Sequence, residues 1–268
     1  MKVLLLITSL LLLATEAAFS IENKFPGRSL YPAVPYIQTD VLQAQKQDYL
    51  FVDVRTPYEY KTLHIKNSIN IPLGDFDFIK SVRKLRIENK NSKIVMFCSG
   101  NFCMEAYKAV SKARRNKIEN AIVYDAGVMA WAEMFPNEVV LKGKELRDPQ
   151  KLISHKKFSK HLMTPAEFTK RIGEGSVVVL DVRELHQRAG LPIYSGKEKR
   201  ISLEDTKIID KYIRQAKRSG KTLMIYDQSG GQVRLLEYYL HDKKVKSYYF
   251  MAGGAQAYFS GVTNNFIN

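Results

Sequence analysis

The chain has 268 residues and carries 42 Lys+Arg against 27 Asp+Glu, a formal net charge of +15. Two cysteines are far too few for a disulfide-built fold, so a hydrophobic core must carry stability. The basic residues are scattered, with local clusters at Lys156–Lys160, Lys197–Arg200 and Lys243–Lys246, and no nucleic-acid motif accompanies them. Solubility and attraction to anionic surfaces or substrates account for such a charge, and no nucleic-acid partner is expected.

Residues 1–20, MKVLLLITSLLLLATEAAFS, place one lysine before an apolar run and small residues after it. That layout predicts a secretory signal peptide, with an apolar stretch short of the roughly 20 residues a membrane-spanning helix needs. Cleavage is expected after Ala17 or Ser20, giving a periplasmic or secreted protein with no stable membrane insertion. Such a compartment lets disulfides persist.

Further along, short apolar runs alternate with helical segments. "YLFVDVRTPYEY" (49–60) and "KIVMFCSG" (93–100) each read as a buried strand running into a loop, and Met104–Arg115 reads as a helix opening directly after the second. Residues 142–162 are highly charged, lack apolar periodicity and are expected to be a linker. Thr164-Pro165-Ala166-Glu167 then gives a helix start, with a threonine N-cap, proline at the first helical position and glutamate at the third.

Across this linker the chain repeats itself. "YLFVDVRTPYEY" matches "VVVLDVRELHQR" (177–188), "KIVMFCSG" matches "TLMIYDQS" (222–229), and "DAGVMAWAEMF" (125–135) matches "AGGAQAYFSGV" (252–262). Asp53 to Cys98 spans 45 positions and Asp181 to Asp227 spans 46. A tandem duplication is expected. Fully apolar strands alternating with helices predict an α/β fold, each copy a parallel sheet flanked by helices. In such sheets the chemistry sits where strands end and loops enter helices, and Cys98 occupies such a place.

"DVRTPYEYKTLHIKNSINIPL", "IVMFCSGNFC" and "YDAGVMAW" together resemble the rhodanese-like family. The resemblance implies two rhodanese-like domains, a catalytic one at 36–141 and an inactive one at 163–264 with Asp227 in the cysteine's place. It also implies a sulfurtransferase in which Cys98 attacks a sulfane-sulfur donor, holds the sulfur as a persulfide and passes it to a thiol or other nucleophilic acceptor, a small molecule or a protein. No cofactor and no metal are implied. Ser99, Gly100, Asn101, Phe102, Cys103 and Met104 would form the substrate-binding cradle, and their backbone amides would stabilise the anion.

Two positions depart from the family pattern. Cys103 stands where a basic residue is usual, so the grip on a dianion such as thiosulfate is weakened. Met104 stands where a related phosphatase loop needs arginine, which excludes that reading. Cys103 has three readings: a resolving thiol for a Cys98 persulfide, a plain disulfide partner, or a passive residue at the helix start. Spacing alone does not fix the Cα separation below ~7 Å that a disulfide needs. Arg55 is a candidate for anion binding or for pairing with Asp53, the second favoured because the other copy keeps Asp181 and Arg183 while losing the cysteine. His64 is expected to stabilise a turn, Trp131 to pack in the core, and the remaining histidines to lie on the surface. Two rival functions remain open: a thiol–disulfide redox protein using Cys98 and Cys103, and a non-catalytic binding module.

Overall fold

The computed structural model describes residues 24–188 and 192–267. The expected signal peptide at 1–20 lies outside the described residues. No described helix is long and apolar enough to cross a membrane. The chain divides into two compact units: the first joins the described residues up to Arg55 with Asn67–Trp131, and the second joins Thr56–Lys66 with the chain from Ala132 onward.

The first unit contains α1 (Pro26–Leu30), α2 (Thr39–Ala44), β1 (Tyr49–Asp53), β3 (Ile69–Asn70), α4 (Phe78–Glu88), β4 (Lys93–Phe97), α5 (Glu105–Arg115) and β5 (Ala121–Tyr124). Its sheet is parallel in the order β3-β1-β4-β5, and Tyr36 extends it by a parallel bridge to Val123. Apolar strands suit this position because helices cover a parallel sheet on both faces. Val52, Ile94 and Met96 are buried against Phe78 and Val82 of α4 and against Ala106 and Val110 of α5. Trp131, in the helix α6 (Gly127–Met134), is fully buried and meets Phe51 and Tyr124 edge-on, as expected for a core residue.

The second unit takes in α3 (Pro57–Thr62) and the short strands β2 (Leu63–Ile65), β6 (Val139–Leu141) and β7 (Lys144–Glu145), which form a small antiparallel sheet. Then follow α7 (His155–Phe158), β8 (Leu162–Met163), α8 (Pro165–Gly173), β9 (Val177–Asp181), β10 (Glu198–Arg200), α9 (Thr206–Ser219), β11 (Thr222–Tyr226), α10 (Gly231–Asp242), β12 (Tyr248–Met251) and α11 (Gly254–Ile267). The large sheet is parallel in the order β10-β9-β11-β12-β8. Element for element this is the order of the first sheet, with β8 in the place of the Tyr36 bridge. The predicted α/β architecture of parallel sheets flanked by helices is therefore what the chain forms.

Residues 142–162 are more than a charged tether. They carry β7 and α7 and bury Leu146, Ile153 and Phe158. His161, read from the sequence as a surface residue, bonds to the buried Glu237 (2.6 Å) and stacks on Tyr248. The α8 start has the predicted capping box, Thr164 Oγ1 accepting from Glu167 N while the Glu167 carboxylate accepts from Thr164 N.

Candidate active site

Cys98 stands one residue beyond β4, and strand register puts it on an edge. Phe97 is level with Asp53 of β1 and with Tyr124 of β5, so three parallel strands end together. The connections leaving them begin at Val54, Cys98 and Asp125. Cys98 is 1% exposed and is disulfide-bonded to Cys103, their Cα atoms 6.3 Å apart. That separation lies within the range disulfides use. Its Sγ also lies 3.0 Å from the carbonyl oxygen of Cys103, an acceptor placed for the thiol of the reduced form.

The loop 99–104 is drawn into one turn, in which Cys103 N donates to Gly100 O at 2.9 Å. Ser99 is buried, while Gly100, Asn101, Cys103 and Met104 are half-buried. Asn101 Nδ2 donates to the Lys24 carbonyl, and Phe102 is 52% exposed. Helix α5 follows from Glu105, with Met104 as an N-cap that offers no side-chain bond.

Beneath the loop lies the start of α6. Val128 N donates to Cys98 O (3.0 Å) and Met129 N to Ser99 O (3.3 Å). Gly127 makes this approach possible. Its φ is +69°, and a Cβ there would fall 2.5 Å from Gly100 N and 2.6 Å from Cys98 O. Only glycine accepts both the left-handed backbone and the missing space. Gly127 stands four positions before Trp131, as Gly254 does before Tyr258, but its role as the floor of the loop comes from three dimensions.

Arg55 is spent on Asp53. Its backbone N, Nε and Nη2 donate to that carboxylate at 3.1, 2.9 and 2.6 Å, and the Asp53 side chain is fully buried. The second unit repeats the pair, Arg183 donating to Asp181 at 2.9 and 2.7 Å. A buried carboxylate needs such a fork, so the Asp-Val-Arg signature marks a structural clamp at the strand end. His64 bonds to Tyr60 O at 2.7 Å and stacks on the Tyr60 ring, closing the end of α3.

Asp125, at the end of β5, collects groups the sequence gave no reason to join. Arg28 Nε (2.8 Å) and the Tyr107 hydroxyl (2.8 Å) both donate to it, and Arg28 also lies over the Phe25 and Tyr36 rings. Burial pushes the Tyr107 hydroxyl pKa up, and the bond to Asp125 pushes it further. Arg28 carries no family motif, and its pairing spans 97 positions, so local pattern could not reveal it.

The corresponding loop of the second unit shows what an anion does there. Asp227 is 1% exposed, and its carboxylate accepts from Gly230 N (2.5 Å), Gln232 N (2.7 Å) and Val233 N (3.1 Å). Burial pushes its pKa up while these amides pull the other way. Gly254 supports this loop as Gly127 supports the first: φ is +59°, and a Cβ would fall 2.6 Å from Asp227 O. Helix α10 begins at Gly231, four positions after Asp227, whereas α5 begins at Glu105, seven after Cys98. Among the described residues, no group of three or more His, Cys, Asp or Glu converges in a way that could hold a metal.

A buried cysteine heading a strand-to-helix loop, over a glycine floor, defines an α/β protein with a thiol-centred site. Residues 38–134 match the family model described as a rhodanese-like domain, so the chain carries one such domain by that measure. The tRNA uridine(34) hydroxylase of Photorhabdus laumondii is 34% identical over 86 residues, covering 32% of this chain and 24% of that protein. Its namesake in Escherichia fergusonii is 33% identical over 101 residues, covering 36% of this chain and 28% of that protein. The chain thus spans about a quarter of the length of these curated relatives. Among solved structures, a rhodanese-related protein of Thermoplasma volcanium is 29% identical, with 40% of this chain and 98% of that one covered and a TM-score of 0.32. A thiosulfate sulfurtransferase of Pseudomonas aeruginosa is 12% identical, with 80% and 39% covered and a TM-score of 0.36.

Proposed function

We propose that this chain is an exported sulfurtransferase that works through a Cys98 persulfide, with Cys103 as the resolving thiol. The observation that carries the reading is the Cys98–Cys103 disulfide in the loop between β4 and α5. It puts the resolving sulfur within bonding reach of the sulfur that would carry the persulfide. Residues 36–141 form the working domain; 163–264 form its duplicated, inactive counterpart, because an aspartate cannot hold sulfur.

The cycle starts from the reduced pair. The Cys98 thiolate attacks the outer sulfur of a persulfide donor, RSSH; the donor's S–S bond breaks, RSH leaves, and Cys98 carries the persulfide. A thiol or other external nucleophile then takes the outer sulfur and regenerates the Cys98 thiolate. Where Cys103 acts first, its thiolate attacks Cys98 Sγ, expels hydrosulfide and leaves the disulfide. A dithiol reductant then restores both thiols and becomes a disulfide itself. The second unit offers a precedent for acceptor binding, since the amides at the third, fifth and sixth positions after Asp227 all donate to its carboxyl group. The first unit's loop runs three residues longer before its helix, and its Cys103 amide is used within the loop, so Asn101 and Met104 are the amides at matching offsets left to receive the persulfide. The hydroxylation named for the relatives belongs to proteins of which the shared segment is about a quarter, and it is not carried over.

One observation favours a second reading: the disulfide is also the oxidised half of a thiol–disulfide couple. Intact-mass analysis of the reduced protein after exposure to glutathione persulfide, polysulfide or thiosulfate separates the two. Under the sulfurtransferase reading, Cys103→Ser gains one sulfur that is absent in Cys98→Ala, and wild type releases sulfide as its disulfide forms. If neither wild type nor Cys103→Ser gains sulfur or releases sulfide with any donor, sulfur transfer is refuted and the redox reading stands.

A further inference from the structure

Helix α9 presents charges in a pattern that its own fold does not need. Its buried face is Ile209, Ile213 and Ala216. At 100° per residue, Lys207, Lys211, Arg214 and Arg218 fall within an arc of about 60° on the opposite side, and Lys221 continues the line past the Gly220 cap. All five are exposed. The only acid within α9, Asp210, lies beside the stripe and is engaged by Lys243 Nζ and the Tyr239 hydroxyl, both at 2.8 Å. Lys217 reaches to the Lys243 carbonyl, which brings Lys243 and Lys244 alongside and widens the basic face.

The fold supplies an internal comparison. Helix α4 holds the same place in the first sheet, between β3 and β4, that α9 holds between β10 and β11. It is basic too, but three of its four cations have partners nearby. Arg83 donates to Asn116 O, Arg86 to Ser92 O and Lys90 O, and Lys84 pairs with Glu88. On α9, like charges three and four positions apart repel and weaken the helix, and Lys207 sits in the first turn, where the helix dipole disfavours a cation. Arg218 in the last turn suits the dipole, and Lys211 lies over the Tyr212 ring, but the mutual repulsion along the stripe is not offset by any acid within it.

We infer that the α9 face is a docking surface for an anionic lipid bilayer. Neighbouring charges stand about 4.5–6 Å apart along the axis, inside a Debye length of about 8 Å, so their fields add over roughly 17 Å of helix from Lys207 to Arg218. They share one narrow, exposed arc along α9, so a flat partner can meet all of them at once. A duplex, itself convex, meets only some. The stripe also carries no aromatic ring on which a nucleic-acid base would stack. The apolar side of α9 stays in the core, so the helix lies on the headgroups and does not insert.

The test uses the full chain and vesicles of phosphatidylcholine with or without phosphatidylglycerol, read by co-sedimentation. Wild type binds only the anionic vesicles and is released as salt rises. Each neutralised cation near the surface lowers partitioning about fivefold, so Lys211→Ala/Arg214→Ala/Arg218→Ala loses about a hundredfold. The charge-matched Lys80→Ala/Lys84→Ala/Lys90→Ala variant, which changes the first unit instead, loses less than tenfold. Circular dichroism confirms that both variants are folded. Binding that ignores phosphatidylglycerol, equal losses in the two variants, or preferential capture of RNA over anionic vesicles at equal phosphate overturns the proposal.

Discussion

Two glycines of the second unit separate backbone strain from lack of space. Gly254 (φ +59°) and Gly220 (φ +62°) share nearly the same left-handed backbone, but a Cβ on Gly220 meets nothing within 4 Å. On Gly254 it would fall 2.6 Å from Asp227 O and 2.7 Å from both Gln228 C and Ser229 N. Alanine in the left-handed region costs about 1–2 kcal/mol, which both variants bear. Inserting a methyl without room adds about 1–3 kcal/mol, and here the obstructing atoms are backbone and do not swing aside. Gly220→Ala is therefore expected to lose about 1–2 kcal/mol and Gly254→Ala about 2–5 kcal/mol. With a urea m-value of about 2 kcal/mol/M, an extra 2 kcal/mol moves the midpoint by about 1 M. Urea titrations followed by far-ultraviolet circular dichroism read this directly. If the two variants differ by less than about 0.5 kcal/mol, the glycine is not what sets the closeness of loop and helix, and the same argument for Gly127 falls with it.

Asp53→Ala leaves Arg55 buried without its carboxylate and costs about 3–5 kcal/mol. The fluorescence of Trp131, the only tryptophan and a core residue of the first unit, reports that loss. Asp227→Ala strands the amide donors of Gly230, Gln232 and Val233 and is expected to cost at least about 3 kcal/mol, with Asp227→Asn milder because one acceptor survives. A near-neutral Asp227→Ala in thermal melts would count against the filled cradle. The Thr164 hydroxyl and amide hold the Glu167 carboxyl below its usual pKa, so the capping box contributes stability above the ordinary carboxylate value and loses it as pH falls through the lowered one. Thr164→Ala should therefore destabilise more at neutral pH than near pH ~3, and equal penalties at both would refute the linkage.

Much of this was legible because the physics involved is local. The strands β1, β4, β9 and β11 are apolar runs that end at charged or reactive residues, and Thr164 and Glu167 announce a helix start by spacing alone. The matched segments either side of residues 142–162 rest on equally local patterns, and the two sheets share one strand order. What stayed hidden depends on distance in space. Strands of two or three residues such as β2, β6 and β7 are too short to show a period. Leu146, Ile153 and Phe158 are single anchors dispersed among charges. The α9 stripe escaped a search for runs because its cations are separated by three or four residues. The pairing of Cys98 with Cys103 depends on a Cα separation that no spacing rule supplies.

Asp227 also confines thiol chemistry to one of the two units. Both cysteines of the chain lie in the first unit, and the equivalent loop of the second is held by a carboxylate that neither gains nor loses electrons. A change in redox poise therefore acts on one loop and passes over the other. Two units with one strand order thus differ in what their equivalent loops hold, a redox-active cysteine pair in one and a carboxyl group in the other.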